Sequence, residues 1–258
     1  AIALKPDFVD AYSNLEEILR DLGKLEEVIK VSKSTLKIKS INTGNELQSL
    51  LNIAITNLLK GDFIETLIYI KKANLLISKG ALNNVKNKKN RKNLFAYSEF
   101  ITSLSQKLEK DKNNKSFDKI LHIGESHCLS FAHETISIFA EVKKIQPVLI
   151  MGGKAWHFAN KENNQWKTSL KEQVINKDNI HQIFISFGEI DCRKDEGILD
   201  YSIKNNKNIA EVCDKTINCY LNYMEYILSP YYSERFYFGI PAPTIENDSI
   251  DALDTKRI

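Results

Sequence analysis

Cysteine is sparse in this chain, and Cys128, Cys192, Cys213 and Cys219 form neither a C-x-x-C pair nor the density of a secreted disulfide scaffold. Reduced thiols in a reducing compartment are therefore expected, with the cytoplasm as location. Long apolar runs are also missing: the longest pieces, such as Val148 to Met151, are strand-sized, whereas a spanning helix needs roughly 20 apolar residues. No membrane partner is expected. An excess of one charge is missing too, since 36 Lys and Arg against 33 Asp and Glu leave +3. That balance does not call for nucleic acid or an anionic surface. No H-E-x-x-H or comparable spacing occurs, and His127, Asp191 and Cys192 are the nearest thing to a ligand set. The expectation is no metal and no cofactor. The chain opens on Ala1 rather than Met, so its natural start is expected upstream.

What is present is enough apolar residue, 43% of 258, to bury the core of one large or two modest domains. Two are expected, because the pattern changes along the chain. The first third has helical periodicity; from Lys119 onward, short Ile/Val/Phe runs ending in Gly alternate with amphipathic stretches. The reading is helical repeats over 1–80, a linker and capping helix over 81–117, and an α/β domain over 118–258. The Lys/Asn-rich run Asn83 to Asn93 lacks aromatics until Phe95 and reads as a solvated linker rather than a nucleic-acid patch. The helix expected over Leu94 to Leu108 sets Leu94, Tyr97, Phe100, Ile101 and Leu104 on one face, suited to closing a helical stack.

The first forty residues run small residue, Leu, Pro6, then Tyr12, Leu15, a break at Gly23 and a second helix from Leu25; "KGDFIETL" around Gly61 repeats the "LGKLEEVI" turn. This order resembles tetratricopeptide repeats, with one nearly complete repeat over Val9 to Ser40 and a degenerate one over Leu47 to Ser78. The resemblance implies paired helices stacked as a solenoid that binds a protein partner. The chain departs from the pattern at Glu16, where a small residue is usual, and at Val28, Thr35 and Ser40.

Chemistry concentrates in "KILHIGESHCLSFAHE", Lys119 to Glu134: a buried strand, Gly124, then Glu125, Ser126 and His127, with a helix expected to follow. A serine there can be an activated nucleophile or a plain helix cap. Two more strands end alike. "IQPVLIMGGKAWHFA" runs into Gly152, Gly153 and His157, and "IHQIFISFGEIDCR" into Gly188, Glu189, Asp191 and Arg193. A fourth, "ERFYFGIPAPT", ends in Gly239 and a Pro-rich loop. In open α/β sheets, ligands bind at such carboxyl ends.

This order resembles the SGNH, or GDSL-like, hydrolases over about Lys119 to Thr244. The resemblance implies a three-layer α/β/α fold around a parallel sheet, left incomplete at the C-terminus, and acyl-ester hydrolysis or transfer on lipids and sugars. It implies Ser126 as nucleophile and N–H donor, Gly153 as the second oxyanion donor and Gly188 to Asp191 as the third block. Asp191 and His157 join the catalytic candidates; Glu125, His127, Gly152, Gly188, Glu189 and Arg193 are the substrate-binding candidates. Three departures stand out. Glu125 replaces the usual Asp, Ile190 occupies the slot of an Asn donor, and no Asp-x-x-His follows His181. His157, on the second loop, is the histidine best placed to face the cleft. His122 and His181 read as core or strand-edge residues, and His133 as part of the next helix. Glu189, Asp191 and Arg193 alternate and so share a face in extended backbone, as binding groups or as an ion-paired rim. Cys192 reads as a buried thiol, and Cys213 and Cys219 as packing residues of a helix striped by Ile209, Val212, Ile217, Tyr220 and Met224. The alternative to an enzyme is a non-catalytic module binding carbohydrate or another small ligand, joined to a repeat scaffold.

Overall fold

The computed structural model describes residues 2–108, 117–175, 180–193 and 196–239. The chain divides into two compact units, Ala1–Ser116 and Phe117–Ile258. The polar stretch Glu109 to Ser116 and the Pro-rich loop from Pro241 lie outside the described residues. No helix among those described is long and apolar enough to cross a membrane.

The first unit is helical: α1 (Val9–Asp21), α2 (Leu25–Thr35), α3 (Thr43–Lys60), α4 (Phe63–Ser78) and α5 (Lys88–Leu108). Its punctuation is local. Gly61 ends α3 in the left-handed conformation at φ 80°, and the next residue, Asp62, caps α4 by accepting the Glu65 N–H. α3 is buried along most of its length, packing on α2 and α4, while α5 packs on α3 and α4 through Leu94, Ile101 and Leu104. The Lys/Asn run was expected as linker, but from Lys88 it forms the first turns of α5, after a 3-10 turn over Ala81–Asn84.

The departures at Glu16 and Thr35 meet in the interior. Fully buried Glu16 accepts from Thr35 Oγ1 (2.9 Å) on α2 and Asn52 Nδ2 (2.5 Å) on α3, and Asn52 Oδ1 accepts from Arg20 (3.2 Å). Where small residues would let helices approach, a hydrogen-bonded carboxylate ties three of them.

The second unit is a mixed five-stranded sheet in the order β2-β3-β1-β4-β5, with β1 (Asp118–Gly124), β2 (Thr135–Ile138), β3 (Glu141–Leu149), β4 (Gln182–Ser186) and β5 (Glu234–Tyr237). β3, β1, β4 and β5 are parallel, and β2 runs antiparallel along the edge. α6 (Ala155–Ala159) and α7 (Gln165–Val174) link β3 to β4; α8 (Ile198–Lys204) and α9 (Ile209–Leu228) link β4 to β5. Right-handed crossovers place both links on one face. There Leu121, Ile123, Ile183 and Ile185 pack on Phe158, Leu170, Met224 and Leu228. On α9 the buried stripe is rotated from the expected one: Thr216 is buried and Ile217 is exposed.

The β1-to-β3 link differs from expectation. No α-helix follows Ser126; a 3-10 turn over Ser126–Phe131 leads into β2, and His133 lies before that strand at φ 63°. Phe139 (φ 49°) and Ala140 (φ 68°) then form the two-residue turn into β3, with the paired positive φ of a type I′ hairpin. The sheet is therefore mixed rather than purely parallel. Its second face carries Ile120, Ile145 and Phe184 in an apolar cluster drawn from strand residues alone, so the expected third layer is not present among the described residues.

Candidate functional site

In parallel order the sheet runs β3-β1-β4-β5, so the chain leaves β1 toward one side and later crosses to the other between β1 and β4. This is a topological switch point, where the loops at the strand carboxyl ends part and leave a crevice. At Gly124 the strands are too close for a side chain, since a Cβ there would lie 2.5 Å from the Ser186 carbonyl oxygen.

Glu125 follows in extended backbone with its carboxyl turned inward. Its Oε1 accepts the Glu189 N–H at 2.9 Å, joining the β1 and β4 loops, while Oε2 is buried without a partner. Only 2% of Glu125 is exposed. Burial pushes its carboxyl up to about 7, with the nearby charges of Glu189 and Asp191 adding to the effect. Ser126 is half-buried and makes no hydrogen bond to a described side chain, so it is neither capped nor a cap. His127 is exposed, its Nδ1 3.9 Å from Glu189 Oε2. Arg193 forks onto the same carboxylate, Nε to Oε1 at 3.1 Å and Nη2 to Oε2 at 2.7 Å. Glu125, His127, Glu189 and Arg193 thus form one polar wall beside Ser126.

Asp191 does not share that wall. A 3-10 turn over Ile190–Cys192 replaces the extended backbone that would have aligned it with Glu189 and Arg193. Its carboxylate instead accepts the Ala155 N–H (2.7 Å) and Trp156 N–H (3.2 Å) at the start of α6, and is 2% exposed. Burial raises its pKa despite those bonds. Asp191 is a positioning residue that fastens the loop after β4 to the loop after β3.

The loop after β3 also departs from expectation. Gly152 turns at φ 65°. Gly153 donates its N–H to the Ile150 carbonyl at 3.0 Å, so that group is already engaged. A Cβ at Gly153 would lie 2.9 Å from the Phe187 ring, and tight packing accounts for this glycine. Gly188 has φ 128°, open only to glycine, and lets the β4 loop turn back toward Glu125. Ile190 is buried. His157 Nδ1 accepts the Lys154 N–H at 3.2 Å, and its ring stacks on Trp166 at 3.4 Å between centroids. Burial and the Lys154 charge bring its pKa down to about 4. No hydrogen bond joins His157 to Ser126 among the described residues.

The described residues do contain a Ser–His pair, and it is a different one. His122 Nε2 and Ser186 Oγ lie 2.9 Å apart across β1 and β4. His122 is 1% exposed among Phe131, Phe184 and Phe238, with Nδ1 buried and unpartnered. Desolvation alone takes its pKa down to about 4. With no carboxylate among the described residues on Nδ1 to stabilise an imidazolium, this pair fills the face of the sheet rather than activating a nucleophile. Ser186 escaped notice because only the strand register brings it to His122. Cys128 is fully buried with its thiol pKa pushed up, the opposite of an activated thiolate. Burial raises Cys192 as well.

No family model, curated protein or solved structure matches the chain.

Proposed function

We propose that the second unit binds a small polyhydroxylated ligand bearing an O-acyl ester, such as an acylated glycan, in the switch-point crevice, and that Ser126 attacks its acyl carbon. One observation carries this reading: Ser126 sits half-exposed at the carboxyl end of β1, free of hydrogen bonds to described side chains, beside a wall of Glu125, His127, Glu189 and Arg193. In the reaction, Ser126 Oγ bonds to the acyl carbon, the ester C–O bond breaks, and the departing alcohol takes the proton that serine loses. Water or a sugar hydroxyl then attacks the acyl carbon, the acyl C–Oγ bond breaks to release the carboxylic acid or a new ester, and the attacker's proton returns to Oγ. The Ser126 N–H, first in its 3-10 turn, is a donor that such a turn leaves without an internal partner and suits a developing oxyanion. In the helical unit, the proposed role is to bind a partner protein, as stacked helix pairs do.

A second reading, ligand binding without chemistry, is favoured by the engagement of the Gly153 N–H and of His157 Nδ1. Intact-mass labelling with a fluorophosphonate separates the two. A single adduct lost in Ser126→Ala supports the nucleophile. A folded chain that takes no adduct leaves the binding reading.

A further inference from the structure

Sequence spacing offers no reason to expect a metal, yet the fold brings Glu189 to Glu125 and His127 as a candidate ligand set of one imidazole and two carboxylates. One carboxylate oxygen each from Glu125 and Glu189 and one imidazole nitrogen of His127 all lie within 4.8 Å of one another. Glu125 and His127 are brought together by the turn after β1, and Glu189 is delivered from the loop after β4. We infer that Glu125, His127 and Glu189 bind one divalent transition-metal cation of the Mn2+ or Zn2+ type at the switch point.

The independent pointer is the buried oxygen of Glu125. Its Oε2 is shielded from solvent and has no hydrogen-bond partner, on a residue only 2% exposed. A buried acceptor left unsatisfied costs about 1–3 kcal/mol, and a cation beside it removes that cost. Oε1 meanwhile is anchored by the Glu189 N–H, which fixes the carboxyl as a well-made metal site fixes its ligands. The mixed set of imidazole and two carboxylates suits Mn2+ and Zn2+ rather than thiolate-seeking ions. Ligands about 2.0–2.2 Å from a metal stand roughly 3–3.5 Å apart, so the widest-spaced pair must close by up to about 1.5 Å. His127 is exposed and Glu189 part-exposed, so their rotamers can make that movement.

Arg193 is the internal competitor, since its guanidinium forks onto Glu189. Each carboxylate oxygen has a second lone pair, so cation and guanidinium can share Glu189, at some loss of affinity. A three-residue set leaves open positions for water or a ligand oxygen. Binding of the ion does not depend on Ser126 reacting. Its use in catalysis, polarising an ester carbonyl held between the two neighbours of Ser126, rests on the function proposed above.

The test uses the full chain stripped with EDTA and dialysed, titrated with Mn2+ and read by electron paramagnetic resonance, with Zn2+ binding by calorimetry alongside. The expected result is one Mn2+ per chain, weakened at least tenfold in His127→Ala and in Glu125→Gln, unchanged in Ser126→Ala, and unchanged or tighter in Arg193→Gln. Glu125→Gln keeps the acceptor for the Glu189 N–H, and His127 is exposed, so both variants should fold; tryptophan fluorescence checks this. Absence of stoichiometric binding of both Mn2+ and Zn2+ overturns the inference. So does binding of either ion that is unchanged in both His127→Ala and Glu125→Gln, which would place the ion elsewhere, as at the thiols of Cys192 and Cys213. Metal binding with no fluorophosphonate adduct would uphold the site and refute the nucleophile; an adduct with no metal binding would do the reverse.

Discussion

Replacing Asp191 by Ala tests whether this carboxylate positions the site or takes part in its chemistry. The substitution removes the acceptor of two N–H groups at the start of α6, at 2.7 and 3.2 Å. Hydrogen bonds to a charged group contribute about 1.5–3 kcal/mol each. The longer one counts for less, and burial opposes the charge, as the raised Asp191 pKa indicates. A net loss of about 2–4 kcal/mol follows, or roughly 6–15 °C in Tm for a unit of this size. Asp191→Asn should lose about half as much, because Oδ1 still accepts one N–H while the amide NH2 opposes the other. The assay is urea unfolding followed by tryptophan fluorescence. Both tryptophans, Trp156 and Trp166, lie in the second unit, and Trp156 is itself one of the two donors, so the signal reports this unit alone. An Asp191→Ala midpoint equal to that of the parent would refute the positioning role.

Gly197→Ala should destabilise the same unit by at least about 2 kcal/mol, because its Cβ would be driven into the Asp191 backbone carbonyl, which cannot swing away; Gly239→Ala, with nothing within 4 Å, is the matched control and should unfold as the parent does. His122 is held near pKa 4, below the usual value of 6.5, so between those limits the unfolded chain binds more protons than the folded one. Stability of the second unit should therefore fall as pH drops from about 6.5 to 4, by up to about 3 kcal/mol from this residue, and His122→Phe should flatten the tryptophan-detected midpoint over that window. Glu16 shows the opposite sign: burial raises its pKa, so the helical unit gains from this group as pH falls through the raised value toward 4.5. Glu16→Gln should abolish that gain, and Glu16→Ala, which removes the buried acceptor of Thr35 Oγ1 and Asn52 Nδ2, should cost about 2–4 kcal/mol; both are read from the part of the far-ultraviolet CD transition that tryptophan fluorescence does not follow.

Much of this architecture was legible because local signals and tertiary demands agree. Helix pairs show in apolar periodicity broken at Gly23 and Gly61, and β1, β3, β4 and β5 show as apolar runs that stop at or near glycine. The failures have physical causes. The hairpin from β2 to β3 turns on Phe139 and Ala140, both at positive φ, whereas such turns are recognised by Asn and Gly. With the turn hidden, "SHCLSFAHETI" read as the start of a helix. Alternation in "GEIDCR" implied one polar face, but a 3-10 turn rotates Asp191 away from Glu189 and Arg193. Glu16 and Thr35 looked like defects of a repeat pattern, and only packing shows them as donor and acceptor of one bond.

The site itself shows what spacing cannot reveal. Glu125 and Glu189 are distant in sequence, and their link runs from a side chain to a backbone N–H, so neither residue type announces the other. That choice of partner has a consequence for chemistry. Because Glu125 is held by the backbone of Glu189, the Glu189 carboxylate is left to face outward, where Arg193 forks onto it and His127 approaches it. A direct carboxylate pair would have placed two negative charges together and forced one to be protonated. Through the backbone, the two loops are closed over the switch point while an acceptor surface for a cation or a hydroxylated ligand remains beside Ser126.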